Sequence, residues 1–255
     1  MKNKNIPELT DSRRFTLFLI YSSQIQIFPQ YVRQTEVLEK FPQGEFPLHK
    51  VQKRFKFDFD NFPTFTIITA PTGTGKSYAF PFPVINSNKN ATGFTSSIRG
   101  LIVLPTNALI DELYENFTEI FPQLQIGKIT GKYLNELGKK GFQRYNAILD
   151  ISSENDLVIT NPDIINYAMH GGYHQTKRKN TGRREFHNLL AYFSYIIFDE
   201  YHLYDESQIA NIFTLVYLRD IFLKQNKKIK YLFVSATPEA GLKELLDKSG
   251  QEYEE

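Results

Sequence analysis

One stretch decides the fold: residues Ala70–Ser77 read A-P-T-G-T-G-K-S and directly follow the apolar run Thr64–Thr69. The stretch has the P-loop form G-x-x-x-x-G-K-[ST], with Ala70 in the first position, which is usually glycine. In such a loop the backbone N–H groups surround phosphates, Lys76 reaches the β- and γ-phosphates, and the Ser77 hydroxyl binds Mg²⁺. We therefore predict a nucleoside triphosphate site formed by Pro71, Thr72, Gly73, Thr74, Gly75, Lys76 and Ser77.

The bulk composition bounds the class of protein. The chain has 255 residues, of which 41% are apolar, and a net charge of +2, so it can bury a core but is not a polycation. The absence of cysteine excludes disulfides, zinc–thiolate sites and a cysteine nucleophile. The N-terminal segment lacks the pattern of a signal peptide, and the longest apolar runs are far shorter than the ~20 residues that span a bilayer. We expect a cytoplasmic protein without a membrane partner.

Short apolar, β-branched runs recur along the chain, and most are continuous rather than alternating. Continuous runs are typical of strands buried on both faces of a parallel sheet. We predict strands at Phe65–Thr69, Gly100–Leu104, Gln125–Thr130, Leu157–Thr160, Tyr195–Phe198 and Tyr231–Val234. Apolar residues spaced near 3.6 predict helices over Asn107–Ile120 and Gln208–Phe222. The alternation indicates one doubly wound α/β domain with its ligands at the carboxyl ends of the strands.

The chain divides into three regions. Residues 1–48 are expected to be an appendage packed on the core, with a helix around Arg14–Ile25, and residues 49–245 form the nucleotide-binding lobe. Residues 246–255 form a tail. Within the lobe, residues 169–188 predict an exposed basic loop, which either contacts a nucleic-acid backbone or is simply solvated. The candidate contacts in this loop are Lys177, Arg178, Arg183 and Arg184.

A second motif, Tyr195–His202, reads Y-I-I-F-D-E-Y-H and places two acids at the end of a predicted strand. Hydrolysis of a phosphoanhydride needs one carboxylate to anchor Mg²⁺ and another to orient or deprotonate the attacking water. We assign Asp199 to the first task and Glu200 to the second. With Lys76 they form the predicted catalytic set, and Ser77 and Asp199 form the predicted magnesium site.

A third motif, Ser235-Ala236-Thr237, follows the last predicted strand. Two hydroxyl groups at a strand end can bond to the acids or to His202, and they can relay the state of the nucleotide to the rest of the lobe. We therefore predict that His202, Ser235 and Thr237 couple the nucleotide site to other parts of the lobe.

Taken in order, the three motifs resemble the first RecA-like lobe of a superfamily 2 helicase of the DExH kind. The resemblance implies a single RecA-like P-loop NTPase lobe, α/β in class, with a mostly parallel sheet flanked by helices. It also implies ATP and Mg²⁺ as cofactors. Leu104–Leu109 resembles motif Ia and Val158–Asp163 resembles motif Ib, which touch the phosphates of a bound single strand in that family. The implied nucleic-acid contacts are Pro105, Thr106, Thr130, Gly131, Thr160 and Asn161.

Gln52 lies upstream of the P-loop, in the stretch L-H-K-V-Q of Leu48–Gln52. In related helicases a glutamine at this place recognises the edge of adenine, and Gln52 would then favour ATP. An ordinary surface glutamine is the alternative.

A narrower resemblance involves Phe198–Gln208, which reads F-D-E-Y-H-L-Y-D-E-S-Q. It is similar to the helicase component of type I CRISPR interference machinery, above all to the subtype I-D, or cyanobacterial, form. That family unwinds DNA, so the resemblance implies single-stranded DNA, a CRISPR surveillance complex and a separate nuclease as partners, and a role in antiviral defence.

The sequence departs from the helicase pattern in two respects. It continues for about eighteen residues beyond Ser235-Ala236-Thr237 and contains no candidate for the second RecA-like lobe that the family requires. We expect that lobe to come from the full-length chain or in trans, and we expect weak or no hydrolysis without it. In addition, Pro81 and Pro83 interrupt the helix after Ser77, which we expect to be short or kinked.

Two other functions fit the same motifs. The first is a lobe of another superfamily 2 translocase, such as the motor of a restriction enzyme. The second is a non-catalytic module that binds nucleotide, DNA or a partner protein.

Overall fold

The fold is described from a computed structural model that covers residues 14–21, 24–31, 38–41, 44–71, 73–90, 98–139, 143–169, 190–222 and 229–237. The predicted basic loop and C-terminal tail therefore lie outside the described residues.

The described strands form one large sheet and one hairpin. The strands are β1 (Arg14–Tyr21), β2 (Gln24–Tyr31), β3 (Leu38–Phe41), β4 (Gly44–Pro47), β5 (Phe65–Thr69), β6 (Gly100–Val103), β7 (Ile126–Lys128), β8 (Leu157–Thr160), β9 (Tyr195–Asp199) and β10 (Lys230–Ser235). The large sheet has the order β2-β1-β5-β10-β9-β6-β8-β7, and β3 pairs with β4. In this order, every pair of neighbouring strands between β5 and the edge strand β7 is parallel. This confirms the mostly parallel sheet and places the six predicted strands within two residues of their expected ends.

Helices cover both faces of this sheet. They are α1 (Lys50–Phe57), α2 (Phe82–Asn90), α3 (Asn107–Ile120), α4 (Gly131–Lys139), α5 (Arg144–Glu154), α6 (Pro162–Met169) and α7 (Glu206–Phe222). The α3 prediction is confirmed at both ends, and α7 starts two residues before the predicted Gln208.

Neighbouring residues of each central strand belong to opposite cores. Ile67 and Ile196 pack in one cluster with residues of α4, α5, α6 and α7. Ile68 and Ile197 pack in the other with residues of α1, α2 and α3. Because side chains alternate across a strand, a strand buried on both faces must be apolar throughout, which explains the continuous runs in the sequence.

The predicted helix around Arg14–Ile25 is wrong, because residues 14–21 belong to β1 and residues 24 and 25 belong to β2. Strand β1 pairs antiparallel with β5, and β2 pairs antiparallel with β1. Residues Phe15–Tyr21 are aromatic, β-branched or leucine, a composition that suits a strand. The pairing with β5 also supplies backbone partners that an isolated segment lacks, so tertiary context decides the conformation.

The prolines after the P-loop have the predicted effect. Ser77–Ala79 forms a single 3-10 turn, and α2 begins only at Phe82 and spans nine residues. Pro83 lies in the first turn of α2, where the backbone N–H has no partner within the helix. The expectation of a short helix is confirmed.

The parallel strands bring the predicted motifs to one edge of the sheet. The P-loop follows β5, Glu200 follows β9, and Ala236 follows β10. The described residues among the predicted nucleic-acid contacts lie at or just after the ends of β6, β7 and β8. Within the described residues, no helix is long and apolar enough to cross a membrane.

Candidate functional site

The P-loop is held in place by glycine conformations and by its neighbours. Gly73 and Gly75 have φ angles of 77° and 67°, a region that side chains other than glycine rarely adopt. A Cβ atom on Gly75 would lie 2.9 Å from Nε2 of Gln52. The amide of Ala70 donates to the carbonyl of Ser235 at 2.9 Å, which joins the start of the loop to the end of β10. Thr72 lies outside the described residues.

Lys76 is buried and forms an ion pair with Glu200. The distance from Lys76 Nζ to Glu200 Oε1 is 2.6 Å, and the lysine side chain is 7% exposed. Apart from this ion pair, the ammonium has no well-oriented hydrogen-bond acceptor in the described part of the chain. A buried cation with unused donors suits a ligand that brings several anionic oxygens.

Asp199 is 3% exposed and lies next to Ser77. The Ser77 hydroxyl donates to Oδ2 of Asp199 at 3.3 Å, and the backbone amide of Glu200 donates to Oδ1 at 3.0 Å. Burial raises the pKa of Asp199 to about 7, although the neighbouring Lys76 charge opposes this rise. A desolvated carboxylate gains most from a nearby cation, so this pair suits Mg²⁺.

Glu200 has an unusual backbone conformation, with φ 51° and ψ 38° in the left-handed region. It is the one described residue other than glycine with a positive φ. Such a conformation costs on the order of 1 kcal/mol and is maintained only when the surroundings fix it. Here it turns the chain out of β9 and places the carboxylate against Lys76.

These groups line a cavity of about 350 Å³ between the P-loop and α3. One wall consists of Gly73, Gly75, Lys76, Ser77, Asp199 and Glu200, and the other includes Leu109, Glu112, Leu113 and Asn116. The carboxylate and hydroxyl of Asp199 and Ser77 are the oxygen ligands that Mg²⁺ prefers, and Mg²⁺ takes its remaining ligands from phosphates and water. The residues present therefore fit a magnesium–triphosphate complex. The described residues contain no cluster of three or more acidic, histidine or cysteine side chains that would form an all-protein metal site.

Gln52 is buried, and both the oxygen and the nitrogen of its side-chain amide form hydrogen bonds. Its Oε1 accepts from the backbone amide of His49 at 2.8 Å, and its Nε2 donates to the carbonyl of Gly75 at 2.9 Å. In this arrangement the side chain joins the first turn of α1 to the P-loop. Its position three residues after His49, at the start of a helix, is a sequence signal for such a cap. Its predicted contact with adenine stays a prediction.

His202 and Ser235 meet as the sequence predicts. His202 Nδ1 lies 2.9 Å from Ser235 Oγ and 3.4 Å from Oε2 of Glu200. Ser235 Oγ also donates to the carbonyl of Thr237 at 2.7 Å and accepts from its amide at 3.1 Å. A serine has one proton to donate, so when it is directed at Thr237 the imidazole must donate from Nδ1. His202 thus joins the end of β10 to Glu200, while the coupling role itself stays a prediction.

The predicted nucleic-acid residues fall into two groups, of which the first consists of helix caps and turns. Thr106 is exposed, and its Oγ1 accepts from the amide of Leu109 at 3.3 Å at the start of α3. Thr130 is buried and accepts from the amide of Tyr133 at 3.3 Å. Pro105 and Gly131 are half-buried. Helix starts of this kind leave backbone N–H groups available for phosphates.

The second group is buried and internally bonded. Thr160 is 2% exposed and donates to the carbonyl of Ile129 at 3.0 Å. Asn161 is 8% exposed, donates to Oδ1 of Asn107 at 3.0 Å, and accepts from the amide of Ile164 at 2.9 Å. These side chains hold the strand ends together, and their predicted contacts with nucleic acid stay predictions. The predicted contacts Lys177, Arg178, Arg183 and Arg184 lie outside the described residues.

The structure also gives roles to residues that sequence reasoning used only as a family signature. Tyr204 is buried, and its hydroxyl donates to the carbonyl of Val103 at 2.8 Å. Asp205 and Gln208 form reciprocal hydrogen bonds at the start of α7, at 2.7 and 3.3 Å. The spacing D-x-x-Q resembles a capping box, a signal that was present in the sequence.

The chain matches a known protein family. The model of the DEAD/DEAH box helicase family matches residues 33–245. The ATP-dependent DNA helicase MER3 of Saccharomyces cerevisiae is 31% identical over 64 residues, which are 25% of this chain and 5% of MER3. The ATP-dependent RNA helicase CHR1 of Candida albicans is 34% identical over 100 residues, which are 38% of this chain and 16% of CHR1. The chain thus spans only a small part of these relatives.

A solved structure shares the fold. The DUF1998 helicase MrfA, determined bound to DNA and AMPPNP, superimposes with a TM-score of 0.57 at 17% identity. The match covers 95% of this chain and 31% of MrfA. At this identity the likeness concerns the fold alone.

Proposed function

The chain belongs to the DEAD/DEAH box helicase family, and we propose that it is the ATP-binding motor lobe of an ATP-dependent DNA helicase or translocase. In this proposal the lobe binds Mg²⁺-ATP and single-stranded DNA, and it hydrolyses ATP efficiently only when a second RecA-like lobe closes over the nucleotide. The second lobe belongs either to the full-length chain or to a separate protein.

One observation carries the proposal: four groups from two distant strand ends meet at one cavity. Lys76 and Ser77 follow β5, whereas Asp199 ends β9 and Glu200 follows it. Nevertheless, Lys76 Nζ lies 2.6 Å from Glu200 Oε1, and Ser77 Oγ lies 3.3 Å from Asp199 Oδ2. A lysine, a hydroxyl and two carboxylates are the set that phosphoryl transfer needs. When present, Mg²⁺ neutralises charge that develops on the phosphates.

The Lys76–Glu200 ion pair suggests how these residues act in turn. Bound phosphates compete with Glu200 for the Lys76 ammonium, because both are anionic. Once Lys76 turns to the phosphates, the Glu200 carboxylate becomes available to orient and deprotonate a water molecule. The ion pair with Lys76 therefore prevents Glu200 from acting as the general base until a nucleotide binds.

The preference for DNA rests on the resemblance of the sequence motifs, since the polar groups at this edge do not distinguish a 2′-hydroxyl. MER3 is named as a DNA helicase and CHR1 as an RNA helicase, so a comparison of matched DNA and RNA strands is the direct test. Binding of an RNA strand at least tenfold more tightly would contradict the choice of DNA.

A narrower proposal places the lobe in CRISPR type I interference, with a surveillance complex and a separate nuclease as partners. Its support is the stretch Phe198–Gln208, in which Tyr204, Asp205 and Gln208 also serve the internal structure of the lobe. A motor of the restriction type remains the alternative. A pull-down with a purified type I surveillance complex on its DNA target tests the narrower proposal, and failure to bind would contradict it.

The proposed function is tested by the substitution Lys76→Ala. We expect the variant to lose at least about 100-fold in affinity for a fluorescent ATP analogue, because the lysine is the buried cation of the site. The measurement is a fluorescence titration in the presence of Mg²⁺.

Lys128→Ala is the matched control. Lys128 also forms a lysine–carboxylate pair, with Asp111 at 2.5 Å, but it does not line the cavity and is more exposed. Its substitution should leave nucleotide affinity unchanged. Equal affinity of the Lys76→Ala variant and the wild-type lobe would refute the assignment of the site.

A further inference from the structure

The segment that follows the two acids is anchored to the sheet on two sides. Strand β9 lies between β10 and β6 in the sheet. On the β10 side, His202 contacts Ser235. On the β6 side, Tyr204 donates its hydroxyl hydrogen to the carbonyl of Val103, the last residue of β6. The second anchor leads away from the nucleotide site and toward the ends of β6, β7 and β8. We call this part of the sheet the nucleic-acid edge, because it carries the predicted contacts Pro105, Thr106, Thr130, Gly131, Thr160 and Asn161.

Both polar groups of the peptide between Val103 and Leu104 form hydrogen bonds. The N–H of the same peptide, on Leu104, donates to the carbonyl of Thr160 at 2.8 Å. Leu104 opens the turn Leu104-Pro105-Thr106, and Thr160 opens the turn before α6. A movement of Tyr204 that shifts this peptide is therefore transmitted to both turns.

The chain of hydrogen bonds continues to a third turn. Thr160 Oγ1 donates to the carbonyl of Ile129, and the Ile129 amide donates to the carbonyl of Ile159 at 2.9 Å. Ile129 directly precedes Thr130, which caps α4. One path of hydrogen bonds thus joins Tyr204 to the ends of β6, β8 and β7.

Every polar group on this path is buried. Tyr204, Val103, Leu104, Thr160 and Ile129 are at most 6% exposed. Burial, with the nearby charges of Asp199 and Glu200, raises the pKa of Tyr204 well above its usual value, so the hydroxyl keeps its proton and remains a donor. Because these groups are buried, a broken bond would leave polar groups unsatisfied, which favours a rearrangement that keeps the bonds intact.

We propose that Tyr204 is a positioning residue that couples nucleotide binding at Lys76 and Glu200 to the nucleic-acid edge through the Val103–Leu104 peptide. The inference rests on the proposed function, since it assumes that the lobe binds both ligands. It differs from the predicted coupling by Ser235 and Thr237, which lies on the opposite side of β9. It also requires no second lobe, because every bond on the path lies within this one.

The test is a thermodynamic cycle on the lobe itself. The affinity of a labelled oligo-dT is measured by fluorescence anisotropy with and without a nonhydrolysable ATP analogue and Mg²⁺. We expect the nucleotide to change the Kd of the wild-type lobe by at least about fivefold, the lower end of typical coupling between sites. In Tyr204→Phe the factor should fall below about twofold, while each ligand alone binds within about threefold of wild type.

Tyr195→Phe is the matched control. The Tyr195 hydroxyl donates to the carbonyl of Phe80 at 2.7 Å, and this tyrosine is also fully buried. The variant loses the same kind of hydrogen bond, but at a place that does not lead to the nucleic-acid edge. It should keep the wild-type coupling factor, so that a general loss of stability cannot explain the effect of Tyr204→Phe.

The outcomes separate this inference from the proposed function. A wild-type lobe that fails to bind either ligand would overturn both. A lobe that binds both ligands independently, or a Tyr204→Phe variant with the wild-type coupling factor, would overturn only the inference. If Tyr204→Phe does not fold, hydrogen exchange of the Leu104 amide in the wild-type lobe decides the question. Nucleotide should alter its protection, and unchanged exchange would overturn the coupling path.

Discussion

The carboxyl ends of the parallel strands form one edge of the sheet, with the nucleotide site at one end and the predicted nucleic-acid contacts at the other. These two ends are built differently. At the nucleotide end, Lys76 and Asp199 are buried ionisable groups, and Lys76 forms an ion pair with the half-buried Glu200. At the predicted nucleic-acid end, Thr106, Thr130 and Thr160 are neutral hydroxyl groups, and each is bonded to nearby backbone.

This difference indicates two kinds of task. Buried charges at close range interact strongly, so a ligand that brings phosphates and Mg²⁺ can rearrange them at a large gain in free energy. Neutral caps fix the geometry of helix starts, whose backbone N–H groups can bind phosphates. The nucleotide end is thus expected to respond to its ligand through electrostatics, and the other end to bind through neutral donors whose positions are set by hydrogen bonds.

The largest effect should come from Glu200→Gln. It removes the general base while keeping the shape of the side chain, so turnover of ATP should fall by about 10²–10⁴-fold with nucleotide affinity retained. The measurement is phosphate release, with a second RecA-like lobe added if the lobe alone is slow. Glu112→Gln is the control, since Glu112 lines the same cavity from α3 but is exposed. Turnover at the wild-type rate would show that Glu200 is not the base.

The next effect concerns Asp199 and pH. Its pKa is about 7 in the folded lobe and 3.8 in the absence of burial, so between these values the folded state holds a proton that the unfolded state has lost. The free energy of unfolding in EDTA should therefore fall as the pH rises from about 4 to about 7, by on the order of 4 kcal/mol.

Asp199→Asn should remove this contribution, and urea denaturation at several pH values measures the difference between the two proteins. Identical pH dependence in both proteins would contradict a pKa of Asp199 that burial raises on folding. Added Mg²⁺ should stabilise the wild-type lobe more at pH 8 than at pH 6, because the metal competes with the proton for Asp199.

At the other end, Thr160→Val should have a smaller effect, which we expect to be seen first in stability. The variant keeps the shape of the side chain but loses the buried bond to Ile129, which costs about 1–2 kcal/mol of unfolding free energy. Nucleotide affinity in the absence of nucleic acid should not change. A large loss of nucleotide affinity would show that the two ends of the edge are not built as differently as the structure indicates.

The smallest effect should come from Thr106→Ala, which removes the cap of α3 and costs about 1 kcal/mol in thermal or urea unfolding. Thr118→Ala is the control in the same helix. Thr118 is also exposed, but it donates to the carbonyl groups of Tyr114 and Glu115 within the helix, and its substitution should be neutral or slightly stabilising. A greater loss at Thr118 than at Thr106 would contradict the capping role.

Much of the lobe follows from local sequence patterns. The strands at Leu157–Thr160 and Tyr195–Asp199 consist of continuous apolar runs that end in a polar residue, and the helix Asn107–Ile120 shows its period and its threonine cap. The helix predicted around Arg14–Ile25 is wrong because the conformation of Arg14–Tyr21 depends on pairing with β5, which lies about fifty residues further along the chain.

The candidate site likewise combines features that local sequence determines with features that depend on the tertiary structure. The sequence by itself determined which chemical groups stand at the strand ends, because the P-loop, the two acids and the S-A-T turn are local motifs joined to short strands. Only the tertiary structure decided which group each one contacts. Ser77 meets Asp199 across 122 residues of sequence, and Tyr204 meets Val103 across 101. Such partners are fixed by strand order and burial, and a single local pattern contains neither.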